Sequence, residues 1–123
     1  MVLRSSGLQR RDFVPMHDVC RAIDHLLRSP CDFAPERIVN VGGGESTSVW
    51  DAACLVRDRC SAILGFCPGL ERVQPQFGET FAGFEYSINT LRRSGFEPEG
   101  DRTGEVDRLL EFCAKAFAAD RVR

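Results

Sequence analysis

The sequence predicts an α/β fold, because segments with the features of strands alternate with segments that have helical periodicity. The clearest case is "RIVNVGGGESTSVWDAACLV", residues 37–56, where an apolar stretch leads through three glycines into a helical pattern. Apolar residues also recur at helical spacing after residue 18 and again over residues 106–117. The predicted order is strand, helix, strand, helix, strand, helix, helix.

The first strand and helix are predicted from residues 7–29. Residues 7–16 indicate a turn followed by a short extended segment, in which Pro15 fits an edge strand or a strand end. Asp18 is a plausible N-cap for the helix. The helix should stop near Ser29, since Pro30 disfavours helical geometry in the residue before it. Its apolar positions at helical spacing are Val19, Ile23, Leu26 and Leu27.

The second strand and helix flank the glycines. Residues 37–41 are nearly all apolar, which is typical of a strand covered on both faces by parallel neighbours. So short a chain offers few such neighbours, so we expect part of this sheet to lie elsewhere. Thr47 or Ser48 can cap the next helix, and Asp51 is placed as a capping-box partner of Ser48. The apolar face of this helix comprises Val49, Ala53, Val56, Cys60 and Ile63.

The remaining elements are shorter or less regular. We predict a short strand at 70–73, low regularity to about residue 86, and a short helix at 89–94 that ends at Gly95. Residues 96–104, "FEPEGDRTG", are predicted to form a loop. The last helix carries one apolar stripe of Val106, Leu109, Leu110, Cys113 and Phe117.

Composition predicts one small domain over residues 1–123. The net charge of -2 gives no reason to expect binding to nucleic acid or to a membrane surface. No apolar run approaches the ~20 residues of a membrane helix, and the first residues lack the apolar core of a signal peptide. We therefore expect a cytoplasmic protein.

The six cysteines predict neither a metal site nor a redox motif, since no two are spaced C-x-x-C and His17 and His25 complete no zinc pattern. A reduced setting fits best, with a disulfide framework as the alternative. Four cysteines fall within apolar helical patterns and are predicted to be small core residues, namely Cys20, Cys54, Cys60 and Cys113.

The glycine turn is a poor match to cofactor loops. Gly42, Gly44 and Thr47 form G-x-G-x-x-T, so the third glycine of the dinucleotide fingerprint is absent. A P-loop is also excluded, because the only lysine is Lys115. Backbone N–H groups of Gly42, Gly43 and Gly44 could still bind an anion ahead of a helix. The alternative is a tight turn without a ligand.

Three segments in order follow one recognisable pattern. They are "GLQRRDFVPMHDVCRAI" at 7–23, "RIVNVGGGESTSVWDAACLV" at 37–56 and "SINTLRRSGFEPEGDRTGEVDRLLEF" at 87–112. Together they resemble the extended short-chain dehydrogenase/reductases, the NAD-dependent nucleotide-sugar epimerases and dehydratases. The resemblance is to the C-terminal third of such an enzyme. It implies part of a Rossmann-like fold, with a small mixed sheet and flanking helices.

The resemblance also implies that the cofactor and the catalytic residues belong to an N-terminal part. The Tyr-x-x-x-Lys pair of the family cannot be built here, because Tyr86 is followed four residues later by Thr90. Lys115 likewise has Glu111 four residues before it. We expect no catalytic residue in this chain and no NAD(P) bound by it alone, although NAD(P) is implied for the full-length enzyme.

The resemblance places several residues at substrate-binding positions. Arg11 falls on the arginine that contacts the sugar-nucleotide diphosphate, and its alternative role is a surface residue or a partner of Asp12. Asn40 falls on an asparagine that lies near the substrate or orders the adjacent loop, with a purely structural hydrogen bond as the alternative. Gln76 stands where the family has a phosphate-clamping arginine, and Arg72 is a possible substitute.

Two functions follow as expectations. The first is a substrate-binding lobe of an NAD(P)-dependent nucleotide-sugar epimerase/dehydratase-like enzyme, not catalytic alone, whose ligand is a nucleotide-diphosphate sugar or a related small molecule. The chain would then be a fragment or an isolated domain. The second is a stand-alone, non-catalytic module that binds an anion or a protein and covers its exposed strand edges by forming a homodimer.

Overall fold

The computed structural model describes residues 1–28, 38–78, 83 and 85–117. Within these residues the helices are α1 (Met16–Arg28), α2 (Val49–Leu64), α3 (Asn89–Arg93) and α4 (Arg102–Ala116). The strands are β1 (Val2–Leu3), β2 (Arg10–Arg11), β3 (Thr47–Ser48) and β4 (Glu71–Arg72). The α/β class is confirmed, and all four predicted helices are present. The strands form two separate sheets, β1 with β4 and β2 with β3.

The described chain divides into two compact units. One unit comprises residues 1–9, 48–78 and 103–117, and the other comprises residues 10–28, 38–47, 83 and 85–102. The first unit contains β1, α2 and β4, and the second contains β2, α1 and α3. The prediction of a single substrate-binding domain over residues 1–123 stays a prediction.

The first unit is built on the parallel pair β1 and β4, in which Val2 lies opposite Glu71 and Leu3 opposite Arg72. The strand predicted at 70–73 is therefore confirmed, while its partner β1 was not predicted. Helix α2 begins as predicted at Ser48, whose hydroxyl oxygen accepts from the Asp51 N–H at 3.0 Å and donates to the Asp51 carboxylate at 2.6 Å.

The second unit holds a small apolar core. Ile88 and Leu91 of the α3 region pack with Ala22 of α1 and with Phe96, all at most 5% exposed. Four partly buried residues pack against them: Leu26, Val39, Val41 and Tyr86. The core therefore joins α1 and α3 to the segment that precedes the glycines.

Helix α1 begins differently from the prediction. The Pro15 carbonyl accepts the first helical hydrogen bond, from the Val19 N–H at 3.2 Å, so Pro15 precedes the helix and is not part of a strand. Asp18 lies in the first turn and is not the N-cap. A proline is tolerated here because its missing N–H costs nothing before the first turn. Ser29 and Pro30 lie outside the described residues.

Helix α1 exposes one apolar face. Met16 is 62% exposed, Ile23 50% and Leu27 82%, and Cys20 is also exposed. The prediction that Cys20 is a core residue is therefore wrong, since the core contacts a different side of the helix through Ala22 and Leu26. Periodicity identifies apolar positions, but this helix carries them on two faces.

Helix α4 also differs from its prediction. It begins at Arg102, so residues 102–104 form its first turn and not the end of a loop. None of its described residues is buried, and Leu109 and Phe117 of the predicted stripe are 59% and 58% exposed. The other three residues of the stripe, Val106, Leu110 and Cys113, are half-buried, so the stripe is partly covered.

The strand predicted at 37–41 is not found. Residue 37 lies outside the described part, residues 38–41 form no strand, and Ile38 is 81% exposed. A strand requires a hydrogen-bonded neighbour as well as an apolar sequence. Among the described residues, β2 pairs instead with β3, six residues beyond Val41.

The described cysteines are free thiols, with Cys60 buried and Cys20 and Cys67 exposed. Cys31 lies outside the described residues. No described helix combines the length and the apolar character needed to cross a membrane.

Candidate functional site

The glycine loop, residues 42–46, binds a carboxylate of its own chain. Asp12 accepts from the backbone N–H of Gly43 with one oxygen and from that of Gly44 with the other, both at 3.0 Å. Two N–H groups on one carboxylate form a strong, charge-assisted arrangement. The N–H groups of Gly43 and Gly44 are therefore occupied by Asp12. Anion binding by Gly42, Gly43 and Gly44 stays a prediction.

Close packing explains two of the glycines. A Cβ at Gly42 would lie 2.6 Å from an Asp12 carboxylate oxygen and 2.7 Å from the Tyr86 ring. Gly44 has a φ of +73°, and a Cβ there would lie 2.9 Å from Ile88. Both positions need glycine because of steric contact or left-handed backbone geometry. The loop is a packed structural turn.

The carbonyl side of the loop is bound by Arg102. Its guanidinium donates to the carbonyl of Glu45 at 3.1 Å and to the hydroxyl of Thr47 at 2.7 Å. It also donates to the carbonyl of Phe13 at 3.1 Å. Asp12 therefore accepts from N–H groups of this loop, and Arg102 donates to oxygen atoms of the loop and of the residue Thr47 that follows it.

Arg11, the predicted phosphate contact, lies beside this loop. Its side chain is exposed, and its guanidinium donates to the carbonyl of Arg10 at 3.0 Å. Arg10 itself binds Ser46, donating to the hydroxyl at 2.9 Å and also to the carbonyl. The structure thus places Arg11 between two residues that bind the glycine loop.

Asn40, the second predicted substrate contact, precedes the glycines and is exposed. Its side-chain N–H donates to the carbonyl of Ser87 at 3.2 Å. This bond matches the alternative of a structural hydrogen bond, and a substrate contact by Asn40 stays a prediction. Arg11, Asn40 and the glycines belong to the same unit.

Arg72 and Gln76 belong to the other unit. The Arg72 guanidinium donates to the Ser6 carbonyl at 3.1 Å and lies 4.2 Å from the centre of the Trp50 ring. These contacts give Arg72 a structural role within its own unit. Gln76 is exposed. A substrate contact by either residue stays a prediction.

Arg10 and Arg102 were not predicted from the sequence, and Asp12 was predicted only as an alternative partner of Arg11. The spacing of Arg10 and Asp12 could have shown that their side chains lie on one face, since residues two apart in an extended segment point to the same side. The sequence carries no comparable signal for Arg102, which lies 55 residues from Thr47.

A second carboxylate is buried in the same unit. Asp18 is 1% exposed and accepts from the backbone N–H groups of Glu99 at 3.0 Å and Gly100 at 2.9 Å, and from Arg21 at 2.8 Å. Burial alone would raise the pKa of Asp18, but the backbone N–H groups of Glu99 and Gly100 and the charge of Arg21 outweigh it and lower the pKa. Asp18 is therefore a structural anion.

A groove of about 290 Å³ lies beside α1, lined by Arg21, Asp24, His25, Arg28 and Phe96. Its arginines already bind carboxylates, Arg28 that of Asp24 and Arg21 those of Asp18 and Glu99. The groove therefore has no excess positive charge to attract a phosphate. It is a weaker candidate than the surface around Arg11.

Neither the glycine spacing of a dinucleotide fingerprint nor a cluster of metal ligands is found among the described residues. The glycine loop lacks the spacing of a cofactor fingerprint, and Asp12 occupies its N–H groups. In the described part of the chain, no three His, Cys, Asp or Glu side chains cluster as metal ligands.

This arrangement of helices and short strands matches the C-terminal part of a short-chain dehydrogenase/reductase-like α/β fold. The chain matches a UDP-N-acetylglucosamine 4-epimerase from Methanobrevibacter ruminantium M1, solved with UDP-N-acetylmuramic acid, at a TM-score of 0.69 and 17% identity. The match covers 94% of this chain and 34% of that one.

Two other solved structures give similar matches. An NAD-dependent NDP-hexosamine 5,6-dehydratase, TunA, matches at a TM-score of 0.64 and 28% identity over 93% of this chain and 35% of its own. A UDP-glucuronic acid 4-epimerase from Bacillus cereus, solved with NAD, matches at a TM-score of 0.68 and 19% identity. That match covers 94% of this chain and 35% of the epimerase chain. These matches confirm the resemblance to NAD-dependent epimerases and dehydratases at the level of fold.

The chain spans about a third of the length of these structures. No protein-family model and no curated protein sequence matches it.

Proposed function

We propose that this chain is the substrate-binding lobe of an NAD(P)-dependent nucleotide-sugar epimerase/dehydratase-like enzyme, complemented by a cofactor-binding part. The observation that carries the proposal is the fold match over 93–94% of the chain to enzymes named for UDP- and NDP-sugars. The three sequence segments that resemble the family support it independently.

In this proposal Arg11 binds the diphosphate of the substrate. The planar guanidinium can donate two parallel hydrogen bonds to phosphate oxygens, and the side chain is exposed. Asn40 lies in the same unit, and its amide oxygen would accept from a hydroxyl while its N–H group binds Ser87. The lobe would contribute by holding the sugar in register for chemistry supplied elsewhere.

Exposed apolar surface supports the need for a complementing part. On α1 alone, Met16, Ile23 and Leu27 are each at least 50% exposed. Elsewhere Ile38 is 81% exposed and Phe112 63%. Large apolar side chains left in water on this scale favour association with further protein surface. A cofactor-binding part would supply that surface.

Arg11→Ala should abolish nucleotide-sugar binding, because it removes the charge-assisted diphosphate contact. The measurement is calorimetric titration of UDP-glucose and dTDP-glucose into the chain, the variant and an Arg28→Ala control. Arg28 is an exposed arginine of the same unit, so its loss should leave the affinity unchanged. Equal affinities for the wild type and Arg11→Ala, or no binding by a folded wild type, would contradict the proposal for this chain.

A stand-alone interaction module is the second candidate, and the face of α1 favours it. Met16, Cys20, Ile23 and Leu27 are separated by four, three and four residues, the spacing of a helix–helix seam. If α1 pairs with a second copy, the wild type should sediment as a dimer, and Leu27→Asp should be monomeric. A wild type that is monomeric at all concentrations would remove this candidate.

A further inference from the structure

The segment that carries Arg11 is attached to the glycine loop on both sides of that residue. Before it, the Arg10 guanidinium binds the hydroxyl and the carbonyl of Ser46. After it, the Asp12 carboxylate binds the N–H groups of Gly43 and Gly44. These four contacts join residues more than 30 positions apart in the sequence.

The two attachments lie on one face of the segment. In an extended backbone successive side chains alternate, so residues 10 and 12 point to one side and residue 11 to the other. Arg10 and Asp12 both contact the glycine loop, which agrees with that geometry. Arg11 is exposed and donates back to the Arg10 carbonyl at 3.0 Å.

The loop itself is closely packed and hydrogen-bonded. Gly42 has no room for a side chain against Asp12 and Tyr86, and Gly44 packs on Ile88 of the apolar core. Arg102 binds the loop from its carbonyl side through Glu45 and Thr47. Whatever is attached to this loop therefore has few alternative positions.

We propose that Arg10 and Asp12 are positioning residues that hold Arg11 in one orientation on the glycine loop. The ligand of Arg11, a nucleotide diphosphate, rests on the proposed function, whereas the ordering of Arg11 does not. A guanidinium held in place before binding loses less conformational freedom when it meets a diphosphate. The N–H groups of Gly43 and Gly44 resemble an anion site, but they bind Asp12 and thereby position the guanidinium cation of Arg11.

The test measures the order of Arg11 without a ligand. We compare ¹⁵N relaxation at the backbone N–H and Nε–H of Arg11 in the wild type, Asp12→Asn, Arg10→Lys and the control Asp58→Asn. Asp58 is an exposed aspartate that pairs only locally, with Arg57, among the ion pairs of the described residues. Hydrogen exchange at Gly43 and Gly44 reports whether the carboxylate contact has been lost.

In Asp12→Asn we expect exchange at Gly43 and Gly44 to accelerate at least about tenfold. The order parameter of Arg11 should fall from about 0.85 to below about 0.6, with the same direction in Arg10→Lys and no change in Asp58→Asn. An Arg11 that is already mobile in the wild type would overturn the inference. The inference would also be overturned if Arg11 stayed ordered in both variants while the backbone amides of Gly43 and Gly44 exchanged freely. If Asp12→Asn unfolds, Arg10→Lys decides.

A UDP titration of the same samples separates this inference from the proposed function. If both hold, Asp12→Asn weakens UDP binding about tenfold, and adding Arg11→Ala makes the loss no larger than Arg11→Ala alone. If the wild type binds no UDP but Arg11 loses its order in Asp12→Asn, the inference is supported and the proposed function is contradicted. Wild-type UDP affinity in Asp12→Asn would overturn the positioning role.

Discussion

Asp18→Ala is expected to destabilise the second unit by about 3 kcal/mol. The substitution leaves the N–H groups of Glu99 and Gly100 without their carboxylate and removes one partner of Arg21. These groups join the first turn of α1 to residues 81 and 82 positions later, so their loss frees a long-range attachment. Chemical denaturation, followed by a probe in the second unit, measures the change.

The matched control is Asp24→Ala on the same helix. Asp24 is exposed and pairs with Arg28 at i,i+4, an arrangement that contributes only about 0.3–0.5 kcal/mol. If Asp18→Ala and Asp24→Ala lowered the free energy of unfolding equally, the contacts of buried Asp18 would contribute no more than an exposed ion pair. Asp18→Asn keeps the size of the side chain and separates charge from packing.

The same carboxylate predicts a pH dependence. The pKa of Asp18 is lowered in the folded state, so its stabilisation is present above its ordinary value of 3.8 and is lost as the pH falls through the lowered pKa. Stability should therefore decline below pH 3.8, and Asp18→Asn should remove that part of the decline. An unchanged pH profile in Asp18→Asn would contradict the assignment.

Leu91→Ala is expected to cost about 2–5 kcal/mol, because it leaves a cavity at a fully buried position of the small core. Among the described residues this core has few buried members and so little stability in reserve, and this variant should be largely unfolded at moderate temperature. Thermal unfolding measures the effect. The control Ile38→Ala removes a side chain that is 81% exposed and should change stability by no more than about 0.5 kcal/mol.

The helices could be predicted because their signals are local. Ser48 and Asp51 form the predicted cap of α2, and the short helix before Gly95 ends as predicted, at Arg93 with Ser94 as its C-cap. Gly95 has a φ of +91°, in keeping with its predicted role at the helix end. Such signals act within a few residues, so one sequence contains all that is needed to read them.

The strands and the site could not be predicted with the same success. Residues 38–41 have the composition of a buried strand, but a strand depends on partners that the local sequence does not specify. The Asp12 contacts with Gly43 and Gly44 turn an apparent anion loop into an internal attachment, although each residue alone looks unremarkable. Contacts across 31 or more residues are decided by tertiary packing.

The most direct test of the substrate-lobe assignment is a chemical-shift map of the labelled chain titrated with UDP-glucose. We expect the largest chemical-shift changes to fall on Arg11 and Asn40 and to saturate, and we expect Arg11→Ala to remove them. Shifts confined to the Arg21–Arg28 groove, or no shifts in a folded chain, would contradict it.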